Sequence, residues 1–424
     1  MNVRRKKMKE KLAINGGIKS VTIEHPHEIW PPLAGEDELK ELAEQRNLDI
    51  SIRGKSGPIK ELEDDFKKFM DNKIKYTVTF NSGTSALLAA YFSVGIDENS
   101  VVIGPATTYH AALSPTYLLK GNVKLVDIDK ETRCIDVNQI EKAITSKTKA
   151  ITVVHQWGYP CDMEAIMRLA RKYSLKVIED CSHAHGSRRD GQLCGTFGDV
   201  AVFSLQTNKA VFAGEGGILV TNNEEIYNRA TLLGHYRERS RDEINDLSYQ
   251  KYWVTGFGLK LRMSPFNAIV AKHSLKKFEA IKRERHMCLE YFNERLKEVS
   301  YIEPLKFEKN IDMGAWYGFK PLVIQEKLGK YTKSDLIGML QAEGVEVSNP
   351  SSPCLATLPL YSETKGMMFP NIIKERNDIN DYPVARYVQN NALSLPTFSN
   401  FSRDKEIIDQ YIIAMKKVGE WLCV

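Results

Sequence analysis

The sequence predicts an α/β fold in which a mostly parallel seven-stranded sheet lies between helices and a smaller α+β unit follows toward the C-terminus. Three observations point there. From about Lys75 to Asn222, short apolar runs alternate with helical patterns, which is how a parallel sheet with crossover helices reads. A chain of 424 residues exceeds what one hydrophobic core usually fills, so two packed units are expected. From about Pro265 to Lys297, a long helical pattern that turns highly charged leaves the sheet region and reads as a connector.

The predicted strands are 76–80, 101–104, 123–126, 150–154, 176–179, 200–203 and 217–220, each a short apolar run bounded by turn-forming residues. Helical periodicity fills intervals between them at 85–94, 137–144 and 163–173. Beyond the connector, 316–324 reads as a strand, 333–343 as a helix, 345–347 as a short strand and 404–421 as a closing amphipathic helix. The stretch 350–383 is rich in Pro, Ser and Asn and reads as a long loop of the kind that often binds ligands. The expected division is an N-terminal arm and first helix over 1–60, a large unit over 61–265, and the connector with the small unit over 266–424.

Composition narrows the function classes. Hydrophobic residues at 42% and charged residues at 27% are ordinary for a folded enzyme. The net charge of +5, from 59 basic and 54 acidic residues, does not call for a nucleic-acid partner, and the basic run Arg4 to Lys7 reads as a solvated arm. No apolar run approaches the length that spans a bilayer, and no apolar signal core follows the basic start, so a cytoplasmic protein with no membrane partner is expected. Seven cysteines with no Cys-x-x-Cys pair indicate reduced, buried thiols, neither a disulfide framework nor a zinc site.

Three motifs carry chemistry. Asn81-Ser82-Gly83-Thr84-Ser85-Ala86 lies between a strand and a helix, where free amides, the helix dipole and hydroxyls converge on a site fit for a phosphate. An apolar strand ends in Glu179-Asp180-Cys181-Ser182-His183-Ala184-His185, and carboxylates at such strand ends face the crevice where open α/β sheets bind ligands. Asp180 could otherwise be a helix cap, the two histidines could be rim residues, and His-x-His lacks a third zinc ligand at a helpful spacing. The third motif runs Ser204-Leu205-Gln206-Thr207-Asn208-Lys209, then Ala213-Gly214-Glu215-Gly216-Gly217, with Lys209 in a loop past a strand end. Most lysines are solvated surface residues, but this one shares a crevice with Asp180. A lysine amine, an acid for a pyridine nitrogen and donors for a phosphate are what pyridoxal 5'-phosphate (PLP) requires.

On these residues the chain resembles the DegT/DnrJ/StrS family of sugar aminotransferases, of the aspartate-aminotransferase type of PLP fold (fold type I). The resemblance runs from Leu12-Ala-Ile-Asn-Gly-Gly to Leu393-Ser-Leu-Pro. It implies that Lys209 is the covalent anchor of PLP and that Asp180 contacts the pyridine nitrogen. Ser82, Gly83, Thr84 and Ser204 would hold the phosphate, Gln206 would lie in the cofactor site, His183 would lie near the ring oxygen, and Tyr109 would stack on the ring. It also implies transfer of an amino group from glutamate or glutamine to a ketosugar or ketocyclitol, in a homodimer with shared sites.

Two departures stand out. Where the family usually has Asn before Tyr-Arg, reaching the neighbouring subunit's cofactor phosphate, this chain has Leu259-Lys260-Leu261-Arg262, so Lys260 either takes that role or points into solvent. Gln206 replaces the His of many nucleotide-sugar members, and 349–354 reads Asn-Pro-Ser-Ser-Pro-Cys where the family usually shows a His-containing stretch. Both weigh against a nucleotide-linked acceptor. Relatives that act as sugar dehydratases put His at the lysine position, and the iron-sulfur type adds a cysteine cluster; here Lys209 is present and no such cluster is visible. A non-catalytic relative would have no reason to keep acid, lysine and phosphate turn together.

Overall fold

The computed structural model describes residues 10–23, 30–364 and 375–422. The basic run Arg4 to Lys7, Cys423 and the centre of the predicted loop lie outside the described residues. Seven strands form one sheet: β1 (Tyr76–Phe80), β2 (Val101–Pro105), β3 (Asn122–Val126), β4 (Thr148–Val154), β5 (Lys176–Asp180), β6 (Val200–Ser204) and β7 (Gly217–Thr221). Their order is β1-β7-β6-β5-β4-β2-β3, and only β7 runs antiparallel to its neighbours. The predicted strands are therefore present, each within two residues of its expected ends.

The helices that matter for the site are α1 (Gly57–Phe69), α2 (Gly83–Ser93), α3 (Val137–Ala143), α4 (Met163–Tyr173), α5 (Glu224–Gly234), α6 (Pro265–Leu296), α7 (Lys333–Ala342) and α8 (Phe401–Leu422). Both faces of the sheet are covered. On β6, Val200 and Val202 pack into the apolar cluster of α2 and α5, while Ala201 and Phe203 enter a second cluster with Leu62 and Phe66 of α1. This is the two-residue alternation of a strand, buried on both sides as a parallel sheet demands. A third cluster joins Ile151 and Val177 of the sheet to α4, the second half of α6, α7 and α8. No helix among the described residues is long and apolar enough to cross a membrane.

Three expectations for the C-terminal part need correction. The predicted strand 316–324 pairs regularly only at Leu322–Val323, with an isolated bridge at Phe319, because Gly314 and Trp316 take left-handed backbone angles (φ 56° and 44°) and Pro321 lacks an amide donor. The predicted strand 345–347 is no strand; pairing there is one bridge from Ser348 to Ser394. The predicted loop 350–383 holds short helical turns at Leu355–Thr357, Pro359–Ser362 and Ile379–Asp381, and a helix, Pro383–Asn391, follows directly.

The edge strand β1 delivers the phosphate turn, and a buried ion network fixes it. Glu63 of α1, fully buried, accepts from the Thr79 amide (2.9 Å) and hydroxyl (3.0 Å) and from Nη1 and Nη2 of Arg239 (2.8 and 3.0 Å), with Lys55 3.2 Å away. The strand's free edge is thereby paired, as an exposed edge otherwise invites another chain. Burial opposes the Glu63 charge, but Arg239 and Lys55 overcome it and hold its pKa down to about 2. The depressed value means that its contribution to stability is whole above about pH 4.5 and drains as the pH falls toward about 2. Glu63→Gln, which strands the Arg239 charge, should cost about 3 to 5 kcal/mol. Urea unfolding near neutrality checks this, and a variant whose midpoint equals that of the wild type would refute it.

Candidate active site

Three strand ends build the site. After β1, Ser82 caps α2 by accepting the Ser85 amide on its Oγ (3.0 Å), and the amides of Gly83 and Thr84 have no partner among the described residues. Gly83 must lack a side chain: a Cβ there would stand 2.7 Å from the Cβ of Ser204. Gly217 is constrained likewise, since its Cβ would meet the Ser82 carbonyl oxygen at 2.4 Å. The close approach expected of the glycine-rich segment is therefore real. It presses the helix N-terminus, its two amides and the Ser204 hydroxyl into one small cradle suited to a phosphate dianion.

The acid comes from β5. Asp180 is 5% exposed, and its Oδ1 accepts the Ser182 amide (3.0 Å), while Ser182 Oγ accepts the amide of Ser204 (3.1 Å). Ser182 thus locks the acid's strand to the strand that ends in Ser204. Burial raises the Asp180 pKa above the usual carboxylate range; the Ser182 hydrogen bonds and the Lys209 charge pull it back. Behind it, His155, Glu179 and Cys181 converge within 4.8 Å. His155 Nδ1 accepts the Cys161 amide (3.0 Å), so its proton sits on Nε2 and points at Glu179 (3.1 Å). Glu179 also accepts the amides of Gly195, Phe197 and Gly198, and burial pushes the Cys181 thiol well up. His155 and Glu179 form a hydrogen-bonded brace beside the Cys181 thiol, with the donor nitrogen already carrying a proton.

The lysine follows β6. The loop from Leu205 to Gly216 folds back on itself through Thr207 N to Gly214 O (2.9 Å) and Ala213 N to Leu205 O (2.7 Å), and Phe212 N is held by Ser274 Oγ of α6 (2.9 Å). Lys209, 8% exposed, is therefore presented inward. Burial lowers its pKa to about 8, against the opposing pull of Asp180. Its Nζ lies 4.0 Å from the centre of the Tyr317 ring, which stacks on His183 at 4.0 Å. Burial and the nearby Lys209 charge keep the His183 pKa well below the usual value, and its Nδ1 takes the Trp157 amide at 3.4 Å. The ring is neutral, with Nε2–H available as a donor.

Nine of the ten expected site residues line one cavity of about 700 Å³. Ser82, Gly83, Thr84 and Ser204 line it together with Asp180, His183 and Lys209, and Gln206 and Tyr109 also reach it. Tyr109 is 55% exposed and rests on His110 (4.6 Å), so it is no core aromatic. The aromatic over Lys209 is Tyr317. Lys260 is the exception: it is exposed and lines a separate pocket with Arg262 and Glu238. Sequence reasoning missed Trp30, Trp157, Arg285, Tyr317 and Lys320, which line the same cavity. None stands in a motif. Trp157 takes a left-handed φ of 54°, strain of a kind that clusters at functional sites in bulky residues, but the angle leaves no mark in the sequence.

Over residues 32–412 the chain matches the DegT/DnrJ/EryC1/StrS aminotransferase family. The chain belongs to this family. Its fold is that of the PLP-dependent aminotransferases, and it is an enzyme of the aminotransferase class. Among DegT-family relatives it is similar to the GDP-perosamine synthase of Escherichia coli O157:H7, 29% identical over 89% of this chain and 94% of that one. It is also similar to the L-glutamine:scyllo-inosose aminotransferase of Streptomyces griseus, 30% identical over 69% of each. The structure of an aminotransferase from Psychrobacter cryohalolentis superposes with a TM-score of 0.80 at 23% identity, covering 94% of this chain and all of that one.

The environment of Lys209 makes a measurable prediction. In a DegT-family chain stripped of small molecules, acylation of Lys209 by an amine-directed reagent should reach half its limiting rate near pH 8. Surface lysines should follow near pH ~10.4. Peptide mapping by mass spectrometry separates the two, and a Lys209 profile that overlays the surface lysines would contradict the buried setting.

Proposed function

We propose that this enzyme uses PLP to transfer the amino group of glutamate or glutamine to the keto carbon of a sugar-derived ketone, either a ketocyclitol or a nucleotide-linked ketosugar. The observation that carries the reading is the convergence of a buried lysine amine with a pKa near 8, a buried carboxylate and an amide cradle in one cavity. The names of the two relatives support the acceptor class, one a sugar-nucleotide enzyme and the other a cyclitol enzyme. Gln206 in place of His favours the cyclitol side.

When bound, PLP supplies an electron sink for breaking and making bonds at the amino-bearing carbon. The chain supplies the rest. Gly83 and Thr84 amides with the Ser82 and Ser204 hydroxyls bind the phosphate. The Asp180 carboxylate, already desolvated, pairs with a protonated pyridine nitrogen and has no water shell to shed. His183 Nε2–H donates toward the ring oxygen. Lys209 Nζ anchors the cofactor and, once free, takes and returns the proton that moves during amino transfer; a pKa near 8 suits an amine that must do both. The reaction belongs to the cytoplasm.

Lys209→Ala should abolish amino transfer with the fold intact, and Asp180→Asn should lose about 10²- to 10³-fold in kcat, the order for a preorganised electrostatic partner. Steady-state kinetics with a panel of ketones, read by mass spectrometry of the aminated product, checks both. Near-normal turnover of Lys209→Ala sinks the reading.

The same reading places Lys260 against the cofactor phosphate of a second subunit, in a two-fold homodimer. Its exposure in the single protomer leaves it available for that contact. A charge-assisted pair in trans would make Lys260→Glu a defect of the neighbour's pocket. Mixing Lys260→Glu with Lys209→Ala should therefore restore up to about half the activity per heterodimer, since one pocket then carries both defects and the other neither. A mixture that stays inactive despite proven subunit exchange rules out the shared site.

A further inference from the structure

The cavity carries more positive charge than a cofactor site of Lys209 and Asp180 requires. Besides Lys209, its lining includes Arg285 of α6 and Lys320, against the carboxylates of Asp180 and Glu215. Arg285 is 4% exposed. Its Nη1 donates to the Ala315 carbonyl (3.0 Å) and its guanidinium lies 4.4 Å from the centre of the Trp30 ring. Its Nε is buried without a hydrogen-bond partner. Lys320, half-buried, donates to Ser394 Oγ. Neither cation pairs with a carboxylate among the described residues. A buried charge without a counterion is costly, and a cation–π contact returns only a part of that cost. Arg285 stays protonated throughout the working range, and burial alone lowers Lys320 to about 8, with no acidic neighbour lifting it.

Two unpaired cations in the wall of a substrate cavity are what an anionic ligand completes. Serine hydroxyls at 351 and 352 and the Thr397 hydroxyl line the same space and can complete a carboxylate's hydrogen bonding. The phosphate cradle at Gly83 and Thr84 is built from backbone amides and serine hydroxyls and does not use these residues. We propose that Arg285 and Lys320 are two anion contacts in the cavity wall, each able to anchor an oxyanion group of the substrate, either a carboxylate of the amino donor or a charged group on the acceptor. This rests on the aminotransferase reading above and adds to it the residues that choose charged substrates.

Glutarate, a dicarboxylate with no amino group to give, separates the two claims because its binding needs no turnover. Calorimetry on the PLP-loaded protein should show that glutarate binds, and that Arg285→Gln and Lys320→Gln each weaken it roughly tenfold to a hundredfold, the loss expected for one charge-assisted contact. Arg285→Lys, which keeps the charge without the planar fork, should recover part of the affinity. The two half-reactions then locate the group. A raised KM for the amino donor alone, with kcat and cofactor absorbance unchanged, assigns the contact to the donor's carboxylate; a raised KM for the ketone alone assigns it to the acceptor. Folded variants with unaltered glutarate affinity and unaltered KM in both half-reactions overturn the proposal and leave Arg285 as a brace for Trp30. A wild-type protein that binds glutarate in this way yet moves no amino group would instead sink the aminotransferase reading.

Discussion

Everything at this site depends on keeping two opposite charges dry. Asp180 and Lys209 stand at the ends of adjacent strands, each almost wholly removed from water. Burial pushes the carboxyl toward its neutral form and the amine toward its neutral form, and each charge partly restrains the other. The result is an amine close to half-protonated a little above neutral pH and a carboxylate that gains strongly from any cation placed beside it. An exposed pair of the same residues would show neither property, because solvent would screen both.

That balance holds only if the strand ends stay in register, and the neighbouring structure serves that end. Ser182 ties the acid's strand to the next through two backbone amides. The brace of His155 and Glu179 fills the space behind Asp180 with satisfied hydrogen bonds. Gly83 and Gly217 let the phosphate turn approach β6 and β7 to distances that any side chain would prevent. On the far side of β7, Glu63 and Arg239 immobilise the edge strand from which the turn emerges. The aromatic wall of Tyr317 and His183 closes the cavity over the amine.

The sheet was legible in the sequence because strands buried on both faces are short continuous apolar runs, and seven of them stood between recognisable turns. Asp180, Lys209 and the Ser82-Gly83-Thr84 turn were legible because strand ends in such a sheet converge on one crevice. The C-terminal part was harder to read. There, 316–324 looks apolar enough for a strand, yet left-handed angles at Gly314 and Trp316 and the proline at 321 break the pairing. Arg285 was hidden for a related reason: it sits in a helix among charged neighbours, where Lys282, Arg283 and Glu284 look alike in sequence, and only packing singles it out as buried. Tyr317 and Lys320 reach the cavity through an irregular segment that no periodicity announces.

The most direct measurement of the central claim is chemical. Protein supplied with PLP, reduced with borohydride and digested, should yield one peptide bearing the pyridoxyl group, with the label on Lys209. A label on another lysine, or none at all, would contradict the account.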